Sequence, residues 1–264
     1  MSSRTNPGRD EALALRATIE YDGTDFFGFQ VQARERTVQG ELERALEALT
    51  TEPTRVIGAG RTDRGVHAHG QVIGFRARWS HSLADLQRAL NAVLPGDVAI
   101  LALGVAPEDF HPRFSARSRR YRYTILNRPW RSPLMRRTCW HVERELDVGR
   151  MNQASECLVG SQDFGTFGRP PGGKDRTAVR EVLQAFWLEQ GSLLTFDIEA
   201  NAFLYRMVRS IVGTLTQVGW GQISVDDFRA MLEAQDHSLI RRVAPAQGLC
   251  LMQVNYAAHE GVLQ

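Results

Sequence analysis

Cysteine is scarce in this 264-residue chain: Cys139, Cys157 and Cys250 stand far apart with no C-x-x-C pair, which excludes a zinc ribbon or a disulfide framework. That usage fits a reducing compartment. Long apolar runs are missing too. The N-terminal MSSRTNPGRDEALALRA lacks the apolar stretch of a signal peptide, and the longest uncharged run, Ser210 to Val225, is broken by three glycines. Secretion and membrane spanning are therefore not expected, and the cytoplasm is. Lysine is almost absent, since 31 of the 32 basic residues are arginines and only Lys174 is not. Arginine suits bidentate phosphate contact, although a genome that writes Arg wherever Lys would serve gives the same count. The net charge of +2 points to no partner by itself, and 43% hydrophobic with 23% charged residues excludes wholesale disorder. The length suffices for one large domain or two small ones.

Periodicity sets out an α+β chain. Residues 1–12 are polar and resemble a flexible leader. Leu13 to Tyr21 alternates as a strand, and Val38, Leu42, Ala45, Leu46 and Leu49 recur at helical spacing behind Thr37 as N-cap. Strand-like stretches follow at Thr54 to Ala59 and Gln71 to Arg76. A helix through Leu83, Leu86, Leu90 and Val93, capped by Ser82 and stopped by Pro95-Gly96, leads to a strand from Val98 to Val105. The same β-α-β-β-α-β order recurs downstream. There it runs through a strand at Arg119 to Leu126, a helix around Val148 to Val159, and strands at Glu181 to Glu189 and Ser192 to Ala200. A long helix through Leu204 to Leu215, a short one at Phe228 to Leu232 and a last strand at Leu249 to Tyr256 complete it. Two ferredoxin-like halves, residues 13–110 and 111–264, are thus expected to share an extended, mostly antiparallel sheet with a central cleft. The long irregular stretches are Asp22 to Arg36, Gly60 to Gly70 and Phe164 to Thr177.

Three constellations carry chemistry. In Gly58-Ala-Gly-Arg-Thr-Asp-Arg-Gly-Val-His-Ala-His-Gly-Gln71 the glycines match neither G-x-G-x-x-G nor a P-loop. What remains is one carboxylate, Asp63, between Arg61 and Arg64, which suits an ionised nucleophile and equally a surface ion pair on a turn. His67 and His69, two apart on a strand, face one way, but no third strong ligand stands nearby and no metal is expected. From Arg113 to Arg137 there are nine arginines and no acidic residue, interleaved with Phe114, Tyr121, Tyr123 and Trp130. Such alternation of cations and rings favours nucleic acid. On that strand Arg120, Arg122 and Thr124 face one side and Tyr121, Tyr123 and Ile125 the other. In the helix after Asn201, Tyr205 and Arg209 stand four apart on one face, and Arg209 is a candidate partner for a carboxylate or phosphate, or else a snorkelling side chain. Gly213 allows a close backbone approach.

At these segments the sequence resembles the tRNA pseudouridine synthase A family. The resemblance runs from Tyr21-Asp-Gly-Thr-Asp-Phe through Gly58-Ala-Gly-Arg-Thr-Asp, Phe110-His-Pro-Arg-Phe-Ser-Ala-Arg, Arg120-Tyr-Arg-Tyr, Asp163-Phe and Met207-Val-Arg to Gly248-Leu. It implies Asp63 as catalytic nucleophile, Arg61 as the side chain that enters the space of the displaced base, Tyr121 stacked on the target uracil and Arg209 paired with Asp63. Arg117, Arg119, Arg120 and Arg122 are the expected substrate-binding arginines. It also implies a cofactor-free isomerisation of uridine to pseudouridine at positions 38, 39 and 40 of the tRNA anticodon stem-loop (conventional tRNA numbering), by a homodimer. Two departures stand out: Gly28-Phe29-Gln30 where the family commonly has Gly-Trp-Gln, and Ser210 where it often has Asn. The rival reading is a non-catalytic RNA-binding protein of two fused ferredoxin-like units, which leaves a carboxylate in an arginine-flanked loop without a task. A metal-dependent hydrolase using Asp63, His67 and His69 is a distant third.

Overall fold

The structure, a computed structural model, describes residues 11–170 and 177–257. Most of the expected leader and the Pro171 to Arg176 part of the Phe164 to Thr177 stretch therefore lie outside the described residues. The chain divides into two compact units, one holding the chain up to Arg117 together with Val254 onward, the other Ser118–Gln253.

In the first unit the strands β1 (Leu13–Tyr21), β2 (Ile57–Gly58), β3 (His67–Ala77) and β4 (Val98–Val105) alternate with the helices α1 (Val38–Thr50) and α2 (Leu83–Val93) in the order β-α-β-β-α-β. β1 lies antiparallel between β3 and β4, and β2 pairs with the far side of β3. Local signals in the sequence account for the helix ends. The Thr37 hydroxyl accepts the Gly40 N–H at the start of α1, and Ser82 forms a capping box with Asp85 at the start of α2. Each such cap is worth about 1 kcal/mol. Both helices bury one stripe, Leu42 and Leu46 on α1 and Leu86 and Leu90 on α2, alongside Leu15, Ile19 and Ile73 of the strands.

The second unit contains β5 (Ser118–Asn127), β6 (Trp140–Val142), α3 (Val148–Glu156), β7 (Gly160–Asp163), β8 (Val179–Gln190), β9 (Leu193–Ala200), α4 (Met207–Gly219), α5 (Val225–Glu233) and β10 (Leu249–Asn255, which ends beyond the unit). Its strand order is β10-β5-β9-β8-β7. With β6 and β7 set aside, the unit repeats the first one's fourth-first-third-second strand order, which supports a duplication. β5 with β9, β9 with β8 and β8 with β7 pair antiparallel, and β5 with β6 pairs in parallel. Tyr123, Ile125, Phe196, Ile198, Ile211, Leu215 and Phe228 are fully buried.

Strand bounds depart from the sequence expectation, since β2 shrinks to Ile57–Gly58 from Thr54 to Ala59 and β3 begins at His67, inside the Gly60 to Gly70 stretch expected to be irregular. β6 and β7 have three and four residues and were not anticipated, being too short for a period to register. The long helix begins at Met207 rather than Leu204, because Arg206 takes a left-handed backbone (φ 60°) that ends the extended run before it. Tyr205 consequently bridges Arg169 in extended conformation and does not share a helix face with Arg209.

Candidate active site

The loop carrying Asp63 leaves the short β2 and returns into β3, so its two ends are pinned by adjacent antiparallel strands. A fully buried glutamine closes its neck. The Gln71 Oε1 accepts the Gly60 N–H at 3.2 Å and its Nε2 donates to the Gly60 carbonyl at 2.7 Å. At the tip the Val66 N–H returns to the Asp63 carbonyl at 3.1 Å, forming a tight turn. Between neck and tip, Thr62 is buried, with its hydroxyl 2.8 Å from the Tyr21 hydroxyl and its carbonyl accepting the Phe29 N–H at 3.1 Å.

The segment after β1 forms the loop's back wall. Gly28 has φ +92°, and a Cβ there would lie 2.8 Å from the Thr62 carbonyl oxygen and 3.3 Å from the Arg64 nitrogen. Only glycine permits that backbone-to-backbone approach. The Arg64 guanidinium stacks over Phe27 at 4.0 Å, while Arg61 is exposed and Asp63 half-buried on the same tip.

His67 and His69 part company, contrary to the strand alternation expected of them. His67 is buried and its Nδ1 accepts the Gly23 N–H at 3.1 Å, whereas His69 is exposed beside Glu20. The cause is a bulge: β1 advances two residues from Ile19 to Tyr21 while β3 advances three, from Gln71 to Ala68. His67 thus ties the loop's return strand to the segment after β1.

In the second unit β5 alternates as anticipated, with Tyr121, Tyr123 and Ile125 buried and Arg120, Arg122 and Thr124 half-buried. Tyr121 packs edge-on against Phe203, ring centroids 5.0 Å apart. Tyr123 is fixed more deeply, its hydroxyl donating to the Pro245 carbonyl at 2.8 Å. Burial pushes its phenol well above the ordinary tyrosine value, against the opposing charge of Arg209. The four expected substrate-binding arginines differ in their surroundings. Arg119 is buried and donates to the Asn201 carbonyl at 2.9 Å. Arg122 meets the carboxylate of Asp197, its cross-strand partner on β9, with contacts of 3.0 to 3.2 Å. Arg117 is exposed, and the buried Nε of Arg120 has no hydrogen-bond partner among the described residues.

Arg209 sits in the first turn of α4, and the segment after α5 holds it there. Its Nε donates to the Ala244 carbonyl at 2.8 Å, and its own carbonyl accepts the Ala244 N–H at 2.9 Å. Gly213 allows this approach as expected, since a Cβ would lie 2.3 Å from the Arg242 carbonyl oxygen. Gln71, Tyr21 and Ala244 were not anticipated as supports. Tyr21 did stand in the recognised Tyr21-Asp-Gly-Thr-Asp-Phe run, but a supporting hydrogen bond across 41 residues leaves no periodic trace.

The sequence model of the tRNA pseudouridine synthase family matches residues 17–115 and 154–257, which include the Asp63 loop, β8, β9 and α4. The tRNA pseudouridine synthase A of Roseiflexus castenholzii is 47% identical over 250 residues, covering 92% of this chain and 90% of that protein. That of Citrifermentans bemidjiense is 43% identical, covering 92% and 97%, and that of Klebsiella pneumoniae subsp. pneumoniae 42% identical, covering 91% and 89%. Matches of this extent, with the Arg61-Thr62-Asp63 loop inside them, place the chain in the tRNA pseudouridine synthase family.

Proposed function

We propose that the chain isomerises uridine to pseudouridine at positions 38, 39 and 40 of the tRNA anticodon stem-loop, as a cytoplasmic homodimer. The observation that carries this reading is the half-buried carboxylate of Asp63 on a loop braced at its neck, flank and back, in a chain of this family. The reaction breaks the N1–C1′ glycosidic bond, turns the uracil and forms a C5–C1′ bond, with the C5 proton leaving and N1 regaining one. No electron is transferred and no external energy is consumed, so the chemistry calls for no cofactor. Asp63 is the anionic nucleophile. A base in a stem must leave its stack to be reached, which gives Arg61, exposed beside Asp63, the task of occupying the vacated space. Tyr121 offers a ring to the displaced uracil, and Arg209 serves as the charge partner of the nucleophile. Arg117 and Arg120 contact phosphates, while Arg119 and Arg122, engaged with Asn201 and Asp197, brace the strand that carries Tyr121.

A non-catalytic RNA-binding protein gains no support from relatives that are named as synthases over nine-tenths of the chain. The deciding experiment maps pseudouridine in bulk tRNA after incubation with the purified protein. New pseudouridine confined to positions 38 to 40 is the expected result; none at any position removes the reading.

A further inference from the structure

The sequence's arginine-rich stretch does not end with β5. Between β5 and β6 the chain makes an excursion, residues 128–138, whose side chains point largely into solvent. Trp130 is 80% exposed and Leu134 95% exposed, beside exposed Arg128, Arg131 and Arg136. No acidic residue occurs between Asp109 and Glu143.

The excursion is nonetheless built rather than loose. At its base the Arg128 N–H donates to the Val142 carbonyl at 3.2 Å, and the Arg128 carbonyl meets His141 Nε2 at 2.8 Å. The Asn127 amide reaches the carbonyls of Val142 and Arg144, both at 2.9 Å. Further out, Met135 N–H returns to Ser132, and Thr138 and Cys139 N–H both return to Met135. Side chains join in: Arg128 Nε donates to the Trp130 carbonyl at 2.8 Å and Arg136 Nη1 to the Pro133 carbonyl at 3.0 Å. An exposed indole held on a hydrogen-bonded frame loses little freedom when a ligand covers it.

We propose that this excursion is a second, preformed contact surface for tRNA, on which Trp130 stacks against an exposed base and Arg128, Arg131 and Arg136 take neighbouring phosphates. The proposal rests on tRNA being the substrate and adds where the substrate is held away from the reacting base. Charge selects this occupant. Cations alternating with a ring match a polyanion with stackable faces. A second copy of the chain pairing loop to loop would set arginine against arginine.

The test uses the full chain and bulk tRNA, with filter binding across a salt series, light scattering for mass, and steady-state turnover. Trp130→Ala should weaken tRNA binding about tenfold, the scale of one stacked base, with the loss carried in KM rather than kcat. Trp130→Phe, which keeps a ring, should recover most of it. Arg131→Glu should flatten the slope of log affinity against log salt by about one. Wild-type affinity and slope in both Trp130→Ala and Arg131→Glu would overturn the proposal. So would a fall in molecular mass, with or without lost affinity, since the loop would then be acting through a second copy. The product map of the wild-type protein separates this from the parent reading. Pseudouridine formed by a wild type whose Trp130→Ala and Arg131→Glu variants both bind normally removes only the second surface.

Discussion

Gln71 holds Gly60 from both sides, accepting its N–H and donating to its carbonyl, and so closes the neck of the Asp63 loop with one fully buried side chain. Leucine there would fill similar space while leaving both backbone groups without a partner. Gln71→Leu should therefore cost about 2 kcal/mol of stability, the price of stranding buried polar groups. The looser loop should lower single-turnover pseudouridine formation more than tenfold while tRNA affinity changes less than threefold. Urea denaturation and filter binding read the two effects separately, and unchanged turnover would mean that the loop holds its shape without this clasp.

What was legible in the sequence and what was not divide along a physical line. α1, α2 and β4 were readable because caps and apolar stripes are local, as at Thr37, Ser82 and the Leu86 and Leu90 pair. The inward side of β5 was readable because two-residue alternation is local as well. The divergence of His67 and His69 was not, since the bulge between Ala68 and Gln71 exists only against the register of β1, 49 residues away from His69 at Glu20. Arg119 and Arg122 show the same limit. Composition placed them in a basic run, while their partners Asn201 and Asp197 lie on or just after β9 and appear only once the sheet forms. Asp63 itself was singled out by its neighbours in the chain, whereas the groups that brace its loop were not.

Arg122 and Asp197 should respond unequally to truncation. The carboxylate side chain is 2% exposed and the guanidinium side chain 38%. Arg122→Ala strands a buried negative charge and should cost about 3 kcal/mol, whereas Asp197→Asn leaves an arginine that reaches water and should cost about 1 kcal/mol. Denaturation midpoints at pH 7 test the order. Because Arg122 is assigned to bracing the strand, the affinity of folded Arg122→Ala for tRNA should fall less than that of Arg117→Glu/Arg120→Glu. An equal fall would return Arg122 to the substrate.

Tyr123 should set part of the alkaline limit. Its phenol is raised in the folded chain, chiefly by burial, above the ordinary value near 10 that it regains on unfolding. Between those two values the unfolded state has lost the proton and the folded state has kept it. Stability from this group is therefore complete below about pH 10 and declines as pH rises, by about 1.4 kcal/mol per pH unit. Tyr123→Phe removes that component and also the hydrogen bond to Pro245. It should be less stable than wild type at pH 8 by about 1 kcal/mol, with a shallower loss from pH 10 to 11. Parallel slopes in urea titrations at those values would show that Tyr123 ionises without unfolding the chain.

Asp63→Asn should abolish pseudouridine formation while tRNA affinity stays within about tenfold of wild type, 1.4 kcal/mol. The amide is nearly isosteric, and the groups that shape the loop are elsewhere: the Gln71 clasp, the Thr62 contacts and the turn closed through the Asp63 backbone carbonyl all survive the change. What is lost is the anion. An amide cannot act as the nucleophile, so the deficit belongs in turnover rather than in binding. Removing a negative charge from a surface that meets phosphates should, if anything, tighten the complex slightly, which gives the prediction a direction as well as a size. Tritium release from C5-labelled uridine in tRNA, measured under single-turnover conditions beside filter binding, reads both quantities on one preparation. An Asn variant that keeps more than a few per cent of the wild-type rate would show that Asp63 is not the nucleophile, and the chemical role given to the whole loop would go with it.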